Sequence, residues 1–292
     1  MPSVVEVAEA LEAMFPLELA EEWDNVGLLV GDRNAAVERI MTCLTVTPEV
    51  ADEASSEGVD LVVSHHPFPF HAERRWTVDT SSGRILATLM RAGVSVYSPH
   101  TAHDSALWGV NRQIAAMLGL CDISSLNRPV THAPIASTGM LEGLSKAAKE
   151  SLAQELGIAI GSGRIGTLPS AVTLGQLVGQ VCEMLKIHSL VHVGSSERIV
   201  RKVAIGCGAA DDFIPVAAAV GADAMILGET RFHGALQAEQ LDLALVMPGH
   251  YATERFAMEF LARRLAIIFP GATVWASARE VDPVIHHHQT GA

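Results

Sequence analysis

The 292-residue chain is 49% hydrophobic and 18% charged, enough apolar side chain for a packed core, and its length suits about two domains. Its formal net charge of −13, from 20 basic and 33 acidic residues without a Lys/Arg block, excludes a nucleic-acid surface built on phosphate neutralisation. A site holding divalent cations could still attract a small phosphorylated molecule, because the ions dominate the local field.

Early acids and the lack of a basic leader region argue against a secretory signal. Ser3 and Glu6 form a capping-box pattern, and Val4, Val7, Ala8, Leu11, Met14 and Phe15 follow at helical spacing until Pro16. Asp24 and Asn25 precede a glycine at the head of an expected strand, a pattern that turn chemistry alone also explains. A strand is predicted over 39–46, with Thr47-Pro48 opening a helix that ends near Gly58. Leu61–Val63 reads as a buried strand, 84–91 as a helix stopped by Gly93, and Val94–Tyr97 as the next strand. This alternation predicts parallel βαβ units. From Asp122 to about Pro169 the pattern is irregular, and a domain change is placed near its start. Gly161-Ser-Gly163-Arg164 lacks the spacing of a phosphate-binding loop and reads as a plain loop. Alternation resumes with a helix over 173–186, strands over 190–193 and 201–205, and a helix over 215–220. A strand over 224–227, a helix over 232–240, a strand over 243–247 and a helix over 253–268 complete it, the last with Phe256, Phe260, Leu261 and Leu265 on one stripe. The most apolar stretch, Phe213–Leu227, contains Asp223 and falls short of a membrane span. Cys43, Cys121, Cys182 and Cys207 form no C-x-x-C pair and read as buried free thiols, which suits a reducing cytoplasm.

Three strand ends carry the chemistry. Val63-Ser-His65-His66-Pro67 runs an apolar strand straight into two imidazoles, where open α/β sheets gather ligands. Tyr97-Ser-Pro-His100-Thr-Ala-His103-Asp104 supplies a carboxylate able to bridge two cations. In Gly249-His250-Tyr-Ala-Thr253-Glu254 the imidazole and carboxylate lie at i and i+4, so both can face one ion. A lone strand-end histidine is usually a hydrogen-bonded polar residue; the specificity lies in three clusters together. Such a nitrogen and oxygen donor set suits two divalent ions of zinc, iron, manganese or nickel. Shared carboxylates are the economical arrangement, since three histidines are too few for separate sites.

Ser64 lacks the G-x-S-x-G elbow of a hydrolase nucleophile and reads as packing or as a hydrogen-bonding neighbour of the site. His188 and His192 read as surface or packing residues, and His286–His288 as a mobile tail without a catalytic part.

Ser64-His65-His66-Pro67, His100-Thr101-x-x-Asp104 and Gly249-His250-Tyr-x-Thr-Glu254 resemble the three signatures of the Nif-three-like dinuclear-metal family. Glu22-Trp-Asp24-Asn25-Val-Gly27 and Leu227-Gly-Glu229-Thr-Arg-Phe-His233 match as well, so the resemblance spans nearly the whole chain. It implies two similar α/β domains with a dinuclear site in the cleft between them: residues 1–126 with 252–292, and residues 127–251. It implies His65, His66, Asp104, His250 and Glu254 as metal ligands, with Asp104 and Glu254 the bridges. His100 is either a ligand or a neighbour of the ligands. Asp24, Asn25, Glu229 and His233 are expected to face the pocket. The chain departs from the family pattern at Leu227, at Phe232 and in the reduced glycine turn Gly206-Cys-Gly208-Ala-Ala, and these departures are expected to lie away from the ligands.

Some family members carry the name GTP cyclohydrolase 1 type 2. The resemblance therefore implies a metal-dependent hydrolase acting on a small nucleotide-like molecule, by GTP ring opening with release of formate or by phosphoester hydrolysis. The alternative is a non-enzymatic metal-binding scaffold or regulatory interaction protein. A cytoplasmic homohexamer, with neither nucleic acid nor membrane as partner, completes the expectation.

Overall fold

The computed structural model describes residues 1–127 and 161–285. His286–His288 and the middle of the irregular stretch lie outside the described residues. Helix α1 (Val4–Met14) starts at the expected capping box: Ser3 N donates to Glu6 Oε2 at 2.7 Å, and Glu6 N donates to Ser3 Oγ at 3.4 Å. A 3-10 turn at Leu17–Leu19 leads to β1 (Gly27–Val30), β2 (Arg39–Cys43), α2 (Pro48–Ser56) and β3 (Leu61–Ser64). Next come α3 (Ser81–Ala92), β4 (Ser95–Ser98), α4 (His100–Ser105), α5 (Val110–Met117) and β5 (Cys121–Asn127). After the undescribed segment follow β6 (Ser162–Thr173), α6 (Leu174–Leu185), β7 (Val191–Val193), β8 (Ile199–Ala209) and α7 (Phe213–Ala219). The chain closes with β9 (Ala224–Glu229), α8 (Phe232–Gln240), β10 (Ala244–Met247), α9 (His250–Ile268) and β11 (Thr273–Ala276).

Two sheets result. The first has the order β1-β4-β3-β2-β11, parallel except where β1 joins β4. Val50, Ala51 and Ala54 of α2 and Ile85 and Leu89 of α3 cover one face. Val4, Val7 and Leu11 of α1 and Leu261 and Leu265 of α9 cover the other. The second sheet has the order β5-β6-β8-β9-β10-β7, with a parallel centre (β8, β9, β10) and antiparallel flanks. Leu174, Leu177 and Val181 of α6 pack on one face; Ile214 and Ala217 of α7 and Ala238 of α8 pack on the other. Each unit is thus a sheet between helical layers, the α/β class expected. No helix among the described residues is long and apolar enough to cross a membrane.

Several expectations need correction. The supposed loop at Gly161–Arg164 opens β6, twelve residues long, and Arg164 is completely buried. Residues 126 and 127 both lie in β5, which pairs with β6 in the second sheet. Strand β11 and the short helix α4 had no clear sequence pattern. The buried stripe of α9 is Ala257, Met258, Leu261, Ala262 and Leu265, while Phe260 is 43% exposed. Of the four thiols only Cys43 is fully buried; Cys121 is exposed and the other two are partly covered.

Arg164 deserves its place in the core because it has four carbonyls to satisfy. Its guanidinium donates to Gly163 O and Ala106 O at 2.6 Å, to Ser105 O at 3.1 Å, and to Gly161 O. Burial lowers its pKa to about 10, so it remains charged at neutral pH. It binds the end of α4 to the second sheet. Arg164→Met keeps the side chain's length but strands these acceptors away from water. Urea unfolding should show a loss of at least about 3 kcal/mol.

Candidate metal centre

The edge of β3 is extended by two backbone bonds beyond the strand. His65 N donates to Cys43 O at 2.9 Å and His66 N to Leu44 O at 2.8 Å, so both imidazoles leave a fixed backbone. Ser98 Oγ donates to His65 O at 2.6 Å, tying in the end of β4. Pro99 follows and α4 begins at His100, which places Asp104 one turn later. From the second sheet, β10 runs into Gly249, whose φ of +108° turns the chain sharply into α9. That helix starts at His250, earlier than the expected Thr253, so His250 and Glu254 share its first turns.

These three edges converge. Glu254 Oε2 lies 3.0 Å from His66 Nε2, 3.0 Å from His250 Nε2 and 3.8 Å from His65 Nε2. Asp104 Oδ1 lies 3.6 Å from His65 Nε2. All five expected ligands therefore stand together. Two groups have ligand atoms within 4.8 Å of one another and could hold a metal: His65, His66 and His100, and His66, His250 and Glu254. Asp104 belongs to neither group as its side chain stands.

The neighbouring residues hold these side chains from behind. Asp24 Oδ1 lies 2.7 Å from His100 Nδ1, and its other oxygen accepts from Thr101 N at 3.1 Å and from the Thr101 hydroxyl. Glu229 Oε1 lies 3.0 Å from His250 Nδ1. Asn25 instead joins two loops, donating from Nδ2 to Pro69 O at 2.8 Å. His233 is exposed and, among the described contacts, packs its ring only on Phe232. The Ser64 hydroxyl is buried without a hydrogen-bond partner, which leaves it a packing role.

The glycine turn expected to lie away from the ligands in fact touches them. A Cβ on Gly208, where φ is +64°, would sit 2.3 Å from Glu254 Oε1 and 3.2 Å from His250 Nε2. A Cβ on Gly228 would come within 2.9 Å of His250 Cα. Glu229, beside the Leu227 departure, holds His250. Sequence reasoning also passed over Thr45, whose Oγ1 is 2.7 Å from His66 Nδ1, and Cys207, whose Sγ is 3.1 Å from Asp104 Oδ1. The flanking glycines of Cys207 were the available signal; Thr45 offered none.

Electrostatics favour added positive charge here. Burial drives His65 well below the ordinary imidazole range, against the pull of Glu254. Burial takes His103 down to about 3, against a weaker pull from Glu254. For Glu254, burial pushes upward, but hydrogen bonds from His250 and His66 outweigh it and hold the carboxyl well below its usual range. His250 rises to about 9, chiefly through its hydrogen bond to Glu254. Asp24 is likewise pushed up by burial but held low by His100 and Thr101. Asp104 goes the other way: burial first, then the Glu254 charge, raise it to about 7.

The residues fit a metal. Both ring nitrogens of His65 are buried without hydrogen-bond partners, although Nε2 faces two carboxylates. Those separations of 3.6 and 3.8 Å exceed hydrogen bonds. They are close to the roughly 3.4 Å ligand–ligand edge of a tetrahedron with bonds near 2.1 Å.

A family model described as Duf34/NIF3 (NGG1p interacting factor 3) matches residues 2–283. The chain is 32% identical over 262 residues to a Clostridium acetobutylicum protein named GTP cyclohydrolase 1 type 2 homolog, covering 90% of this chain and 89% of that one. It is 28% identical over 255 residues to a Helicobacter pylori protein named GTP cyclohydrolase 1 type 2, covering 87% and 88%. The fold is similar to that of a Bacillus cereus protein related to NIF3, with a TM-score of 0.85, 25% identity, and coverage of 98% and 99%. It is also similar to a Staphylococcus aureus protein, SA1388, with a TM-score of 0.82, 26% identity and the same coverage.

The raised Asp104 carboxyl sets a pH dependence for the ion-free protein. An acid whose folded pKa lies above its unfolded value of ~4 binds more protons when folded, so stability falls as pH rises from ~4 through 7. Asp104→Asn abolishes that loss. In chelator, the variant should be more stable than the parent at pH 8 by on the order of 4 kcal/mol, and the gap should shrink as pH falls and close by about pH 4. Urea unfolding at both pH values measures it.

Proposed function

The chain belongs to the Duf34/NIF3 family, and from that premise we propose that it is a metal-dependent hydrolase with a dinuclear centre, acting on a small nucleotide-like molecule. One observation carries the reading. The single oxygen Glu254 Oε2 lies 3.0 Å from both His66 Nε2 and His250 Nε2 and 3.8 Å from His65 Nε2, which is itself 3.6 Å from Asp104 Oδ1. A carboxylate so placed could serve two ions, which His65, His66, Asp104, His250 and Glu254 together would hold, with Asp104 and Glu254 as the carboxylates able to be shared. The chemistry that two such ions supply is activation of water and polarisation of a substrate oxygen.

The chain's own residues prepare that chemistry. Glu229 accepts from His250 Nδ1, which would leave Nε2 to a cation once one replaced its proton, and Thr45 Oγ1 beside His66 Nδ1 fixes that ring. Asp24 keeps a proton on His100 Nδ1 and fixes the ring beside His65 and His66. Gly208 leaves the space that Glu254 occupies. The names of the relatives point to GTP ring opening, and phosphoester hydrolysis would use the same parts.

We also propose that the two sheets mark two α/β units, the boundary drawn ahead of β5. The protein is then a cytoplasmic homo-oligomer, a hexamer by its family resemblance. Light scattering at micromolar concentration should give a mass several times 31.0 kDa, and a monomer would refute the oligomer.

The enzymatic reading is tested with chelator-stripped protein reloaded with zinc or manganese and offered GTP and a panel of phosphoesters. Turnover should track metal content. His250→Ala should lower bound metal from two ions per chain towards one and reduce turnover at least about 100-fold. Two tightly held ions without turnover on any of these substrates would indicate a metal-bearing scaffold instead.

A further inference from the structure

Beyond β11 the chain continues as a short segment, residues 277–280, that contacts two of the edges carrying the expected ligands. On one side, Arg255 of α9 donates from Nη2 to Ser277 O at 2.8 Å and brings Nε within 2.8 Å of Glu280 Oε2. The Tyr251 hydroxyl donates to Glu280 O at 3.2 Å. Tyr251 and Arg255 directly follow His250 and Glu254 along that helix. On the other side, the Glu280 carboxylate accepts from Leu44 N at 2.9 Å and from Thr45 N at 2.6 Å, just past β2. These two residues hold the histidine turn: Leu44 O accepts from His66 N at 2.8 Å, and Thr45 Oγ1 is 2.7 Å from His66 Nδ1.

A buried carboxylate beside a loop commonly does no more than satisfy backbone donors there. Glu53 of α2 is that case. It is 4% exposed and accepts from Ala278 N at 3.0 Å, Arg279 N at 3.1 Å and the Ser277 hydroxyl at 2.6 Å. Those three donors all belong to the segment. Glu280 differs in where its bonds go. Its side chain is 2% exposed and leads out of the segment, joining an arginine of α9 to two backbone donors past β2. Charge-assisted contacts of this kind are short and strong. They tie the edge that carries His66 to the helix that carries His250 and Glu254.

We infer that Glu280 is a positioning residue for the metal centre, keeping His66 within reach of Glu254 by way of Thr45 and Arg255. It touches no ion itself. The inference rests on the metal-binding reading above. Loss of this carboxylate would free the His66 ring and the start of α9 to shift apart, so ions would bind more weakly while the fold remained.

Cobalt(II) alone is the probe, offered to chelator-stripped full-length protein while bound metal per chain and the visible cobalt absorption are followed. Glu280→Gln sets an amide NH2 group against one of the two backbone donors and should weaken cobalt binding at least about tenfold. Glu53→Gln loosens the same segment at its other anchor. It should lower stability to urea in chelator yet keep the parent's cobalt affinity. Thr45→Val removes the hydroxyl beside His66 and should weaken binding too. Combined with Glu280→Gln it should cost less than the two single effects multiplied, because both act on one ring. Should Glu280→Gln fail to fold, Glu280→Asp, which keeps the charge but shortens its reach, should show the same weakening. Parent-like cobalt affinity in the folded Glu280 variant, or an equal loss in Glu53→Gln, would overturn the positioning role and leave the metal reading standing. A parent protein that binds no cobalt would overturn both.

Discussion

Glu254 keeps its charge with only 5% of its side chain exposed, because His66 and His250 each reach the same oxygen at 3.0 Å. A buried carboxylate costs several kcal/mol unless partners compensate it. Those partners come from different sheets: His66 from the edge of β3, His250 from the first residue of α9. The requirement explains features that look unrelated. Gly249 must turn the chain abruptly so that the helix opens on His250. Gly208 must lack a side chain, since any Cβ would displace the carboxylate. Arg164 must hold the end of α4 against β6, because Asp104 lies on that helix.

The legible parts of this arrangement were those encoded locally. An apolar strand running into His65-His66, and an imidazole and carboxylate four apart at a helix start, announce themselves in short windows. The capping box at Ser3 and the N-cap at Thr47 are equally local, and both stand as read. What escaped depends on contacts between distant segments. Strand β6 looked like a loop because its glycines and its arginine carry no alternating pattern. Only the carbonyls of residues 105 and 106 give that arginine a reason to be inside. The start of α9 was set three residues late because Gly249 offers no side-chain cap. Of the stripe expected on that helix, Leu261 and Leu265 are buried and Phe256 is partly so, while Phe260 is exposed. The buried side continues instead through Ala257 and Met258, which fit against Leu44 and Val110.

The glycine turn is the sharpest case. Compared with the family pattern it looked reduced, and nothing in its own sequence says that it borders the ligands. Its place follows from sheet order: β8 lies beside β9, whose end carries Glu229, and β10 next to that leads to His250. Three neighbouring parallel strand ends thus meet the imidazoles of the other sheet. Sheet order is set by long-range pairing, which a single sequence does not display.

The imidazoles also differ in what orients them. His66, His100 and His250 each have the nitrogen away from Glu254 or the pocket engaged, by Thr45, Asp24 and Glu229. His65 has no such partner and is fixed by burial, with the rings of His66, His100 and His103 at 5.3, 5.3 and 5.6 Å. Packing holds a ring in place without supplying a proton donor or acceptor, so His65 remains neutral and unsatisfied. Without ions, the acids nearby must be neutralised otherwise: His250 carries a proton up to about pH 9, and Asp104 keeps its own to about 7. Cations can replace those protons and satisfy His65 in the same step. A cation bound here would displace those protons at the residues that join the sheets, and its binding would be coupled to the stability of the whole chain.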